Sequence, residues 1–210
     1  MITFQRLGWI VAAAVIGVIA ATGFQAGFEK VGIVDLSRMV ETSELGKRNI
    51  AALDAMKNSR EGLLKFIDTN RVLTLDQANQ ARGLWLKDAP AAADTATLNR
   101  LKADIEAQAK KNIEISTKAN LTPEERTLLQ EYASRSASME RLTAEWFDEF
   151  RQEIQGSAQQ RRMDTLNKAR VAAQGVAKAG SYTLVFDSSI AVYAANDLTD
   201  EALKAMNAKN

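Results

Sequence analysis

Between Thr122-Pro123-Glu124-Glu125 and Gly180 the chain has no further proline and no cluster of turn formers. That uninterrupted run constrains the fold more than any other feature. Thr122 can cap a helix, Pro123 is tolerated at the first helical position, and Glu125 can close a capping box. The segment therefore predicts one helix to about Lys178, roughly 85 Å long at 1.5 Å per residue. A chain of 210 residues makes no globular domain wide enough to hide such a rod. The helix is expected to project and to pair with upstream helices as an antiparallel hairpin. Gly156 and Gly175 are weak helix formers within it, expected to bend or fray it.

Upstream, Leu36, Met39, Val40, Ile50, Leu53, Leu64 and Ile67 recur at spacings near three and four. This predicts one long helix whose seam is broken at Ser43, Gly46 and Lys57. Thr74-Leu75-Asp76-Gln77 has the capping-box form and opens a short helix that should stop before Asp88-Ala89-Pro90. A third helix is predicted from Asp94 to about Ala119, carrying Leu98, Leu101, Ile105, Ile113 and Ile115.

The period changes at both ends of this helical stretch. Val31-Gly32-Ile33-Val34-Asp35 is a short run rich in β-branched residues and reads as a strand. After Gly180, Tyr182, Leu184 and Phe186 alternate with Thr183, Val185 and Asp187, and Ser188-Ser189 turns the chain into Ile190-Ala191-Val192-Tyr193. That pattern predicts a β-hairpin. Thr199 is expected to cap a final amphipathic helix carrying Leu203 and Met206. Three short strands and one helix are a poor core for a single chain, so oligomerisation is expected to supply the missing burial. The candidate oligomer core is Val31, Ile33, Val34, Leu184, Phe186, Ile190, Val192 and Tyr193. The fold class is α+β, mainly α. A helical arm (41–178), with a tip subdomain at 70–121, is inserted into a strand-based core (29–40 and 179–210).

Leu7 to Phe24 is an apolar stretch of 18 residues, preceded by Arg6 and followed by Gln25. It reads as an export segment. As a helix it reaches roughly 27 Å against a hydrocarbon core of about 30 Å, so a cleaved signal and a retained anchor are both open. Ala21-Thr22-Gly23 puts small residues at the two required places and favours cleavage, although no Ala-x-Ala ends the run. Residues 1–28 are thus a signal peptide or membrane anchor, and the chain is expected to be exported. Membrane contact is expected only through residues 7–24, if they are retained.

Composition narrows the chemistry. The chain has neither Cys nor His, which removes thiol and imidazole nucleophiles, histidine bases and nearly all zinc sites. With Lys+Arg 27 against Asp+Glu 26 there is no long-range field to attract nucleic acid, and Arg161-Arg162 is too small for such a footprint. Glu124-Glu125 and Asp148-Glu149 are adjacent helical residues about 100° apart, so they read as a helix start and a solvated face rather than catalytic dyads. Asp35 and Asp187, at strand ends, are expected to make turn and cap hydrogen bonds. No catalytic, cofactor or metal residue is expected.

Two segments carry a family resemblance. The first is Lys30-Val31-Gly32-Ile33-Val34-Asp35-Leu36. The second is Leu184 to Tyr193, followed by Asn196-Asp197-Leu198-Thr199 and an amphipathic helix. On these the chain resembles the OmpH/Skp family over nearly its whole exported length. The resemblance implies a periplasmic homotrimer whose three helical tentacles surround a cavity that shelters unfolded outer-membrane or envelope proteins without ATP. The lack of a Walker A motif agrees. Well-known members have strongly basic tentacles; this arm is nearly neutral, so client capture is expected to depend less on charge. The reading from a different class is a membrane-anchored structural or adaptor coiled coil of the cell envelope.

Two apolar groups are candidates for holding a client. The stripe Met139, Leu142, Trp146, Phe147, Phe150 and Ile154 is expected instead to pack on Ile50, Leu53, Leu64 and Ile67, because a helical hairpin must bury one stripe first. Leu84, Trp85 and Leu86 are three consecutive large apolar residues that cannot share one side of a helix. One of them facing outward makes this trio the candidate client contact, whereas a tip bundle that covers all three is slightly favoured because exposed apolar patches are rare.

Overall fold

The computed structural model describes residues 30–191 and 193–208. The export segment at 7–24 and Val192 of the expected oligomer core lie outside them. The chain divides into two compact units, one built from the residues up to Gly46 and from Thr165 onward, the other from Lys47–Asp164.

The first unit is organised around strand β1 (Val31–Val34), which pairs in parallel with β2 (Leu184–Asp187) in the register Val31 to Leu184 and Val34 to Asp187. The predicted hairpin is not formed. Asp187 accepts the Ser189 N–H on its side chain at 2.8 Å and the Ile190 and Ala191 N–H groups on its carbonyl. This closes a tight turn instead of a strand reversal, and Ile190, Ala191 and Tyr193 join no strand. The other edge of β1 is taken by the segment 196–198. Ile33 N–H donates to the Asn196 carbonyl and Leu198 N–H donates to the Ile33 carbonyl, both at 2.9 Å, with a parallel bridge between Ile33 and Asp197.

Side chains alternate between faces along a strand. Gly32, Val34, Val185 and Asp187 therefore share one face of the sheet, and Val31, Ile33, Leu184 and Phe186 share the other. Val34 and Val185 pack with Met39, Ala169, Ala172, Ala173, Ala202 and Met206. The small alanines let a helix lie close on the sheet.

Helix α1 (Leu36–Thr42) is capped by Asp35, whose carboxylate accepts the Arg38 N–H at 2.8 Å, as expected for this residue. The single long helix predicted from Leu36 is broken at Ser43, and α2 (Glu44–Thr69) begins after it. Ser43 is extended (ψ 154°) and its Oγ accepts the Gly46 N–H at 3.0 Å, the geometry of an N-cap. A Cβ placed on Gly46 would lie 1.9 Å from the Val40 carbonyl oxygen. The two polar or small residues that interrupt the stripe thus build a cap and a close backbone approach.

In the second unit, α2 packs with α3 (Leu75–Trp85), α4 (Ala92–Ser116) and the first part of α5 (Pro123–Ala179). Thr74 and Gln77 form the predicted capping box, with bonds of 3.2 and 2.9 Å. Helix α4 begins ahead of Asp94 because that carboxylate reaches back to the Ala91 N–H at 2.8 Å and acts from inside the first turn. Thr122 and Glu125 close the second box at 3.2 and 3.1 Å, and α5 runs for 57 residues with neither Gly156 nor Gly175 ending it. Residues of the segment 70–121 share one core with those of 63–67 and 139–150.

Helix α5 ends in a Schellman arrangement. Tyr182 N–H donates to the Ala177 carbonyl and Ser181 N–H to that of Lys178. Ser181, not the neighbouring glycine, takes the left-handed conformation at φ 54°. Gly180 serves a different need, since a Cβ there would meet the Tyr182 ring at 2.6 Å.

Helix α6 (Thr199–Ala208) starts differently from expectation. Thr199 does not cap it. The Asp197 carboxylate accepts both the Thr199 N–H at 2.9 Å and its hydroxyl proton at 2.5 Å, while the Thr199 hydroxyl oxygen accepts the Asp35 N–H at 2.9 Å. A buried threonine therefore ties the entry of α6 to the end of β1.

Gly46→Ala is expected to lower stability by about 1–3 kcal/mol, the usual cost of forcing atoms into an occupied space. A urea titration followed by far-ultraviolet circular dichroism measures it, and an unchanged midpoint would contradict the close approach at Val40.

Candidate functional site

The candidate residues fall on two surfaces, one in each unit. In the first, the sheet face opposite the core has no covering layer among the described residues. Leu184 is 47 % exposed and Phe186 39 %, and beside the strand Ile190 and Tyr193 reach 76 % and 86 %. Val31 and Ile33 on the same face are half-buried. Val34 is the exception: alternation places it on the opposite face, at 4 % exposure, within the chain's own core.

In the second unit, the stripe along α5 divides. Met139, Trp146 and Phe150 are buried together with Leu63, Phe66 and Ile67, and Leu64 and Leu142 pack against them. The expected packing is present there. Phe147, one helical step from Trp146, is exposed, and so is Ile50, which was expected beneath the stripe.

None of Leu84, Trp85 and Leu86 is exposed; all three are half-buried. This agrees with cover of all three and goes against the reading with one outward residue. The reason is that α3 ends at Trp85, and Leu86 is its C-cap with φ −93° and ψ 8°. Leu86 therefore leaves the helical path, and it packs with Trp85 against the core. The Trp85 ring lies 5.6 Å from that of Phe66, centroid to centroid, and the Lys102 ammonium stands 4.6 Å from the Trp85 centroid. Gly62 lies beside this indole, and a Cβ there would meet it at 3.4 Å, an ordinary van der Waals contact.

Beside Trp85 lies a cavity of about 690 Å³ that the sequence did not announce. Its polar side carries two ion pairs together with Lys87, Asp88 and Arg161. Arg60 grips Glu153 through two hydrogen bonds of 2.9 and 2.6 Å, and Arg82 pairs with Glu149. The Arg82 guanidinium is 4.9 Å from the Trp146 centroid and 5.2 Å from that of Phe150, within cation–π range. The Arg60 hydrogen bonds hold the Glu153 carboxyl below the usual carboxylate range. Glu149 is therefore more than the solvated residue it resembles in sequence. Asp148, its neighbour, pairs along the helix with Arg151 at 3.1 Å. Arg60 and Glu153 are 93 positions apart, and no local pattern links them. The single sequence signal is the spacing of Glu149 and Glu153, which puts two carboxylates on one helix face.

Among the described residues no group of three or more His, Cys, Asp or Glu is placed to hold a metal ion, and no helix is long and apolar enough to cross a membrane. The match to the family model described as outer membrane protein (OmpH-like) spans residues 30–206, and the chain belongs to that family. At the level of the family this is a group of periplasmic, non-enzymatic chaperones of outer-membrane proteins. Comparison with curated proteins gives no match.

Two outcomes test these sites. Trp85→Ala, which uncovers Phe66 and Gly62, is expected to cost about 2–3 kcal/mol, below the range for a fully buried tryptophan; chemical denaturation reads it directly. Asp197→Ala should cost about 1 kcal/mol at neutral pH through loss of the hydrogen bonds that its carboxylate accepts from Thr199. The Thr199 hydroxyl and N–H hold the Asp197 carboxyl below its ordinary value of 3.8. Its contribution is therefore complete above that value and is lost as pH falls through the depressed folded pKa. Melting curves of wild type and Asp197→Ala should converge in that acid range.

Proposed function

We propose that the protein is a periplasmic, ATP-independent holdase that keeps unfolded outer-membrane proteins from aggregating, and that it works as a homotrimer joined through the strands of the first unit. The observation that carries this reading is the uncovered sheet face. Leu184, Phe186, Ile190 and Tyr193 stand exposed beside half-buried Val31 and Ile33, and an apolar patch of this kind marks an association surface. A two-stranded sheet is marginal by itself. Cyclic association that buries this face supplies the second layer. Family membership supports the holding of outer-membrane proteins, and the 57-residue helix α5 supports an arm that reaches beyond the oligomer core. The near balance of 27 basic and 26 acidic residues favours capture through apolar and hydrogen-bonding surface over long-range attraction.

Native mass spectrometry of residues 29–210, alone and with a urea-unfolded outer-membrane barrel protein diluted into buffer, tests assembly and holding together. A trimer that captures the client is expected. A monomer that ignores the client would overturn the reading and leave the structural, membrane-anchored alternative. Phe186→Asp is expected to dissociate the trimer while preserving helical content, since it places a charge at the centre of the buried face. A trimer unchanged by this substitution would exclude the sheet face as the interface.

A further inference from the structure

A further cavity, of about 310 Å³, lies within the first unit between the last turns of α5, strand β2 and the start of α1. That is roughly twice the 150 Å³ of an apolar cavity that holds one benzene. Val34, Leu36, Ala173, Ala177 and Val185 form its apolar wall. Val34 and Ala173 are buried, and Leu36 and Val185 pack against them.

The polar wall consists almost entirely of donors. Arg170, Gln174 and Lys178 follow one another at four-residue spacing on α5 and so share one face of the helix. Tyr182 and Thr183 add two hydroxyls, and Asp187 adds the one carboxylate. Among the described residues, the polar side-chain groups of Arg170, Gln174, Lys178, Tyr182 and Thr183 bond no other protein group. Arg38, Arg60, Arg71, Arg82 and Arg135, by contrast, are each paired with a carboxylate. The Asp187 carboxylate is already engaged by the Ser189 N–H at 2.8 Å. The end of α5 adds no bare acceptors, because the carbonyls of Val176, Ala177 and Lys178 take the N–H groups of Gly180, Tyr182 and Ser181.

Five side chains that can donate, two of them cationic, face a single carboxylate, and this excess selects an acceptor-rich anion. A cationic ligand would meet Arg170 and Lys178. Inorganic phosphate would leave the apolar wall uncovered, and a plain hydrocarbon would cover the donors without bonding them. A carboxylate carried on a small apolar body matches both walls. We propose that this cavity binds a small organic anion, a carboxylate on one ring or a short alkyl chain, with its head on the donor face of α5 and its body against Val34, Leu36 and Val185. The site lies on the packed side of the sheet, away from the bare face that carries the assembly reading, and does not depend on that reading.

Isothermal titration calorimetry of the full chain with 4-phenylbutyrate, its uncharged amide and acetate tests the assignment. Saturable binding of 4-phenylbutyrate, one per chain, is expected. The amide should bind about tenfold more weakly or worse, the factor that goes with one hydrogen bond to a charged group. Acetate, which has the head alone, should lose at least as much, since it buries no ring. Arg170→Gln combined with Lys178→Gln should weaken the acid about tenfold or more and leave the amide unchanged. Both positions are exposed, and circular dichroism checks the fold. Arg162→Gln, which removes an exposed cation outside the cavity, should change nothing. The comparison of acid, amide and acetate needs no variant and stands even if the double variant fails to fold. Equal binding of acid and amide, acetate as tight as the acid, or equal weakening by Arg162→Gln would each overturn the site. Absence of saturable binding, as when a neighbouring copy or another part of the chain fills the cavity, would overturn it too.

Discussion

Strand β1 is the constraint on which the first unit depends. It is four residues long, and both of its edges are bonded to segments from the far end of the chain, β2 on one side and 196–198 on the other. Closing a loop of about 150 residues costs conformational entropy, though only logarithmically in length. The closure is secured by several small contacts at once. Lys30 donates to the Gly180 carbonyl at 3.0 Å and sits 4.1 Å from the Tyr182 ring centroid. Asn196 donates its side-chain amide to the Val31 carbonyl at 2.9 Å. The Thr199 hydroxyl then joins the end of β1 to the start of α6.

With both edges of β1 occupied by parallel neighbours, the sheet has one face left to cover itself. Helical alanines and Met39 cover the side bearing Val34 and Val185. The side bearing Leu184 and Phe186 receives nothing from the described chain. A sheet with one apolar face packed and one bare is a half-built two-layer structure.

The second unit solves a different problem. Four helical segments enclose a core that contains Trp146 and Phe150, and the rings need neighbours at the rim as well as below. Arg60 and Arg82 stand beside those rings while bonding Glu153 and Glu149. Guanidinium groups suit this double role, since they stack on aromatic faces and bond carboxylates in one plane. Structural support and part of a polar groove wall thus come from the same four side chains.

Much of this architecture was legible in the sequence because its signals are local. Thr122-Pro123-Glu124-Glu125, Thr74 to Gln77 and the β-branched run at Val31 act within a few residues, and each of their elements is present. The helix break at Ser43 was legible as an interrupted stripe but was read as a flaw, since a cap and a close approach look alike in one dimension. The hairpin after Phe186 was misread because alternation reports that a strand exists and says nothing about its partner. Pairing is a contest between edges, and β1, distant in sequence, won it. The ion pairs lining the groove were invisible for the same reason, with Arg60 and Glu153 brought together only when helices packed. The sequence by itself determined where helices and strands begin, because capping, periodicity and turn chemistry are short-range. Only the tertiary structure decided which edges pair, which sheet face stays bare and which charges meet, because these depend on contacts between residues far apart along the chain.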